Sequence, residues 1–118
     1  MTTRQKKVGE LLRTEISDII QREIKDPRLG FVTVTEVDVT PDMRIARVFV
    51  SVMGEHDEQD AALAVLNKAR GFVRLEIGKR ITMRITPEIE FRLDRSIEHG
   101  ARIFELLQQI KQDESEEK

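Results

Sequence analysis

With 118 residues, no cysteine and a formal charge of −2, the chain is long enough to bury a core as one domain, and it offers neither a disulfide framework nor a thiolate metal site. No segment approaches the roughly 18 uninterrupted apolar residues of a membrane span, and the N-terminus leads into an amphipathic stretch, not the apolar run of a signal peptide, so a cytoplasmic protein is the expectation. Charge is segregated along the chain: residues 70–86 carry five basic side chains against Glu76 alone, so local potential decides what it can bind more than the net value does.

Residues 5–25 read as a helix, with Val8, Leu11, Leu12, Ile16, Ile19, Ile20 and Ile24 on one apolar stripe. Thr2 and Gln5 have the spacing of a capping box, Asp26-Pro27 stops the helix, and Gly30 releases the chain into a strand. Residues 31–39 are rich in Val and Thr but alternate imperfectly. A bulge near Thr35-Glu36 would bring the two apolar pairs to one side. Thr40-Pro41-Asp42-Met43 reads as a tight turn into a second strand, 44–53, whose Ala46, Val48, Val50 and Val52 share a face; the two strands form an antiparallel hairpin.

Asp57 is the expected N-cap of a helix running from Glu58 to Ala69. Gly71 interrupts the pattern, but Phe72, Val73, Ile77 and Ile81 resume it at once, so two helices meet at a bend. After Pro87 a third strand alternates cleanly, with Ile89, Phe91 and Leu93 inward. Ser96 can cap a last helix with the stripe Ile103, Phe104, Leu107 and Ile110, and residues 113–118 form an acidic tail with no apolar residue, expected to be disordered. The domain is then 1–112. Each helix has only one apolar stripe, so the helices cover one face of a small, mixed sheet.

Catalytic residues are not evident. His56 lies beside Asp57 and Glu58, His99 beside Glu98, and both read as exposed polar positions. No His, Asp or Glu group has metal-ligand spacing, and no phosphate-binding glycine loop is present, so neither catalysis nor a metal or cofactor is expected. With five Phe and no Trp or Tyr there is no stacking platform, and nucleic acid would be held through backbone and shape.

The bend Ala69-Arg70-Gly71 is the most informative segment. Glycine there admits a close backbone approach to a partner, and the following helix opens with N–H groups that attract phosphate. Gly71 could equally be the C-cap of the first of the two helices, and the basic run a solvated face. Two rival readings remain: an adaptor whose basic face meets an acidic protein, and a small enzyme whose site the sequence does not make evident.

At this point the sequence resembles the ribosome-binding factor A family of bacterial 30S maturation factors. The resemblance rests on Arg22 to Gly30, Ala46 to Ser51, Ala69 to Arg74 and Ile85 to Phe91, in this order, and runs from about Lys6 to Ile110. It implies an α+β, type II KH-like domain: helix, strand, strand, helix, bend, helix, strand, then a C-terminal helix, with helices on one face of a three-stranded sheet. It also implies a monomer that binds free 30S subunits and 16S rRNA near the 5′-terminal helix. Such a factor assists late maturation and rRNA processing, and matters most in the cold. An Ala-x-Gly bend stands where ordinary KH domains carry Gly-x-x-Gly, so recognition of a single-stranded tetranucleotide in the ordinary KH manner is not expected. The acidic tail departs from the basic extension of some members. The expected RNA-binding residues are Ala69, Arg70, Gly71, Arg74, Lys79, Arg80 and Arg84, with Lys6, Lys7 and Arg28 as a flank.

Overall fold

A computed structural model describes residues 2–94; the predicted helix from Ser96, His99 and the tail 113–118 lie outside the described residues. Helix α1 spans Thr3–Glu23, opened by the expected capping box, in which the Gln5 N–H donates to Thr2 Oγ1 and the Thr2 N–H donates to Gln5 Oε1. It ends two residues earlier than its apolar pattern suggests, because Ile24 is already extended ahead of Asp26-Pro27. A 3-10 turn, Pro27–Leu29, follows, and Gly30, at φ 57, turns the chain into the sheet in a conformation that favours glycine.

Strands β1 (Val32–Val39) and β2 (Ile45–Val52) are antiparallel, and the register slips between Val34 and Glu36, leaving Thr35 as the extra residue. That bulge resolves the imperfect alternation: Val34, Val37 and Val39 are all buried on the helix side. Helix α2 spans His56–Lys68 and α3 Arg70–Arg80, and β3 (Glu88–Leu93) returns parallel to β2 to complete the order β1-β2-β3. A parallel neighbour requires a crossover, which the two helices provide.

The core lies between the helices and one sheet face, with Leu12, Ile16, Ile19, Leu66, Val73 and Ile77 against Val48, Val50 and Phe91. Helix α1 packs on β1 at close range. A Cβ at Gly9 would fall 2.6 Å from the Val37 carbonyl oxygen, and buried Gln5 donates from Nε2 to the Val39 carbonyl at 2.9 Å. On the other side, Asn67 Oδ1 accepts from the Phe91 N–H at 3.3 Å, which ties α2 to edge strand β3.

Four expectations are corrected. Leu11 is 47% exposed, because it sits at the margin of the α1 stripe where no strand covers it. Phe72 is 40% exposed beside the bend instead of in the core. The N-cap of α2 is Glu55, whose N–H donates to Glu58 Oε1, so His56 and Asp57 already belong to the first turn. The break between the helices falls at Ala69 (φ −88, ψ 0), and Gly71 is inside α3.

Candidate nucleic-acid interface

Because Ala69 is both the C-cap of α2 and the N-cap of α3, the helices meet with no linker. The Ala69 N–H donates to the Val65 and Leu66 carbonyls, and the first bond of α3 runs from the Val73 N–H to the Ala69 carbonyl at 2.9 Å. The N–H groups of Arg70, Gly71 and Phe72 thus have no acceptor inside α3, and the helix presents its positive end there. Gly71 is exposed, has no positive φ, and a Cβ on it would meet no atom within 4 Å. Neither close approach nor backbone geometry within the described residues requires glycine at 71. This removes the C-cap explanation and leaves a backbone surface that a partner can touch closely.

The first turns of the helices differ in charge in a way that dipoles alone do not explain. Helix α2 opens with Asp57 and Glu58, the favoured arrangement. The first turns of α1 and α3 hold no acid. Instead α1 carries Arg4, Lys6 and Lys7, all exposed, and α3 opens on exposed Arg70. Cations at helix N-termini cost a few tenths of a kcal/mol or more each.

The structure divides the expected binding residues. Ala69, Arg70, Gly71 and Arg74 gather at the bend, with Arg74 donating from Nε and Nη2 to the Thr86 carbonyl at 3.2 and 3.0 Å. Arg74 therefore also fastens α3 to the segment entering β3. Gly78 allows the same approach lower down, where a Cβ would lie 3.3 Å from Thr86 Oγ1. Lys79 is exposed and pairs with Glu76 at 3.4 Å.

Arg80 turns towards α1 and bonds Glu15 at 3.2 Å and Asp18 at 2.7 Å, with its side chain only 24% exposed. The Arg80 hydrogen bond holds the Asp18 carboxyl below its usual range. Arg28 forks onto Asp26, Nε to Oδ1 at 3.1 Å and Nη2 to Oδ2 at 2.7 Å, and this lowers the Asp26 pKa to about 2. Arg84 stands at the far end of α3, in the loop before β3, among residues that also include Arg4 and Arg44. Beside the bend, Lys25 and Lys68 line a cleft of about 360 Å³ with Arg28 and Phe72. Neither lysine stands out in sequence, since the segment just after α1 and α2's last turn become neighbours only on folding.

The outer face of the sheet has the opposite character. Asp38, Arg47 and Glu90 form one row across the strands, with Arg47 3.4 Å from Glu90. Charge repulsion from Asp38, then burial, pushes the Glu36 carboxyl up. Among the described residues no group of three or more His, Cys, Asp or Glu could hold a metal ion, and no helix is long and apolar enough to cross a membrane.

A three-stranded β1-β2-β3 sheet backed on one face by α1 and by two helices meeting at a cationic bend defines a KH-like α+β domain. The profile of the family described as ribosome-binding factor A matches residues 4–107, and the chain belongs to that family. Ribosome-binding factor A of Halothermothrix orenii is 52% identical over 115 residues, covering 98% of this chain and 94% of that protein. The protein of that name from Thermomicrobium roseum is 53% identical over 110 residues, covering 93% and 85%. The crystal structure of ribosome-binding factor A from Thermus thermophilus superposes with a TM-score of 0.70 at 27% identity, covering 78% of this chain and 98% of that one. A homology model of the Thermus thermophilus protein, fitted into the cryo-EM map of its complex with 30S, gives a TM-score of 0.63 at 29% identity, covering 74% and 91%.

Proposed function

We propose that this protein binds free 30S ribosomal subunits through 16S rRNA and assists their late maturation without catalysing a reaction. The observation that carries the reading is the start of α3: an exposed glycine that nothing in the described fold requires, beside an exposed arginine, at a helix N-terminus with no acid. Phosphate is the ligand that such a surface fits. Arg70, Gly71 and Arg74 form the centre of the contact, with Lys79 beside it on α3, and Lys6, Lys7, Arg28 and Arg84 supplying flanking charge. Arg80 supports them by joining α3 to α1.

The mechanism is binding energy alone. A factor that holds one rRNA conformer more tightly than its alternatives shifts the population towards it by the difference in affinity. No cofactor takes part, and the protein acts as a cytoplasmic monomer, on RNA near the 5′-terminal helix of 16S rRNA, with the greatest demand in the cold, where misfolded RNA helices are slow to open. The relative fitted into a 30S complex supports the choice of subunit.

Co-sedimentation tests this. The protein is expected with free 30S subunits and not with 70S ribosomes, with affinity falling as salt rises. Arg70→Glu is expected to weaken association sharply, and Arg92→Glu on β3 to do much less. Equal loss from both substitutions would return the basic stretch to a solvated face and move the contact elsewhere, and binding that ignores salt and survives RNase treatment would show that the partner is a protein.

A further inference from the structure

At the end of α3 opposite the bend, a cleft of about 630 Å³ lies between the first turns of α1, the β1–β2 turn and residues 81–85. Its walls contribute one arginine each: Arg4, Arg44 and Arg84. All three are exposed, and none forms an ion pair among the described residues. Among the described residues Asp42 is the one carboxylate in the lining, and it already accepts from Thr40 Oγ1 at 2.7 Å and from the Arg44 N–H at 3.1 Å.

The apolar part of the cleft is as unusual as its rim. Leu11 and Ile85 are 47% and 46% exposed and flank it, so the residue that left the predicted core stripe lies here. Met43 also lines the cleft, at φ 62, a left-handed conformation uncommon for a side chain of that size. Its N–H donates to the Thr40 carbonyl at 2.8 Å, which holds the turn in that state.

Resting on the reading above, we infer that this cleft is a second RNA contact, which takes an unstacked nucleotide of a single-stranded rRNA segment. The base lies against Leu11, Met43 and Ile85, and the flanking phosphates are held by the guanidinium groups of Arg4, Arg44 and Arg84. Charge complementarity selects the occupant. Guanidinium forks match phosphate oxygens in pairs, and they surround an apolar surface instead of lining a continuous groove as for a helix. Unpaired bases are the part of RNA that a protein can insert into such a site. Helix α3 has 11 residues, so the cleft and the bend lie about 16 Å apart along its axis. One strand touching both spans about five stacked nucleotides at roughly 3.4 Å each. The two contacts act as linked sites, and each raises the effective concentration of RNA at the other.

The test uses the full chain and purified free 30S subunits. With benzoylphenylalanine in place of Ile85, irradiation is expected to crosslink the protein to 16S rRNA. Arg44→Ala with Arg84→Ala is expected to weaken association at least about tenfold and to flatten the slope of log affinity against log salt by about 1.4, the value for two phosphates on a single strand. If the double variant does not fold, Arg4→Ala alone is expected to flatten it by about 0.7. A crosslink to a ribosomal protein or within the chain itself, or an unchanged slope in a folded variant, overturns the inference while 30S binding stands. If the unaltered protein fails to co-sediment with 30S, the functional reading falls and this contact falls with it.

Discussion

Replacing Gly71 with alanine adds a methyl group that meets no atom within 4 Å, at an exposed position with helical backbone. Alanine is favoured over glycine by about 0.8–1 kcal/mol in a helix interior, and part of that applies in the first turn. A gain of about 0.5 kcal/mol corresponds to a rise of roughly 2–4 °C in Tm for a domain of this size. The same methyl group stands between the opening N–H groups of α3 and a phosphate drawn up to them. Losing charge-assisted hydrogen bonds worth about 1.5–3 kcal/mol weakens binding by roughly ten- to a hundredfold. Thermal unfolding followed by circular dichroism, together with 30S co-sedimentation at about 0.15 M salt, reads both quantities on one sample. A variant that is more stable and still binds like the parent would refute the close approach. A variant that loses stability would refute the open space around position 71.

Three further outcomes follow from the same geometry. Gly9→Ala makes the opposite case: its Cβ would fall 2.6 Å from the Val37 carbonyl oxygen, so a loss of about 1–3 kcal/mol is expected from overpacking, at about 4–8 °C per kcal/mol in Tm. An unchanged melting curve would mean that α1 and β1 can move apart freely. Arg80→Ala removes the link from α3 to Glu15 and leaves Asp18 with Arg22 alone, and should lower the urea midpoint more than Lys79→Ala does, since among the described residues Lys79 pairs only with Glu76 on its own helix; equal midpoints would argue against a bracing role. Asp26 titrates at about 2 in the folded state against an ordinary 3.8. Because the folded value is the lower one, the Arg28 pair contributes fully above about pH 4 and is lost as pH falls towards 2. Carboxyl NMR on Arg28→Ala should show the Asp26 midpoint returning towards 3.8, and a midpoint that stays near 2 would assign the shift to another group.

Local patterns carried most of the secondary structure. The capping box at Thr2 and Gln5, the stop at Asp26-Pro27, the bulge at Thr35 and the inward face of Ile89 and Phe91 depend on neighbours a few residues apart, and all were legible from spacing. Leu11 and Phe72 were not, because periodicity says which residues share a face but not how far the opposing elements extend over it. Strand order was also closed to the sequence. Nothing local in β3 states that it lies beside β2 and not β1, since that depends on where α2 and α3 bring the chain back.

The candidate site divides along the same line. That residues 70–86 are basic and that a glycine follows Arg70 is written in the sequence. Which of those charges faces outward was decided by tertiary contacts. Arg80 is drawn to Glu15 and Asp18, more than 60 positions earlier in the chain, and Arg74 to the Thr86 carbonyl, while Arg84 joins Arg4 and Arg44 at the far end of α3. A charge's availability depends on what the fold places within about 4 Å of it, and these partners lie well beyond the reach of local pattern. The order of residues therefore determined that 70–86 is a basic stretch in a chain of slightly negative net charge, and only the packed helices determined where that charge is exposed.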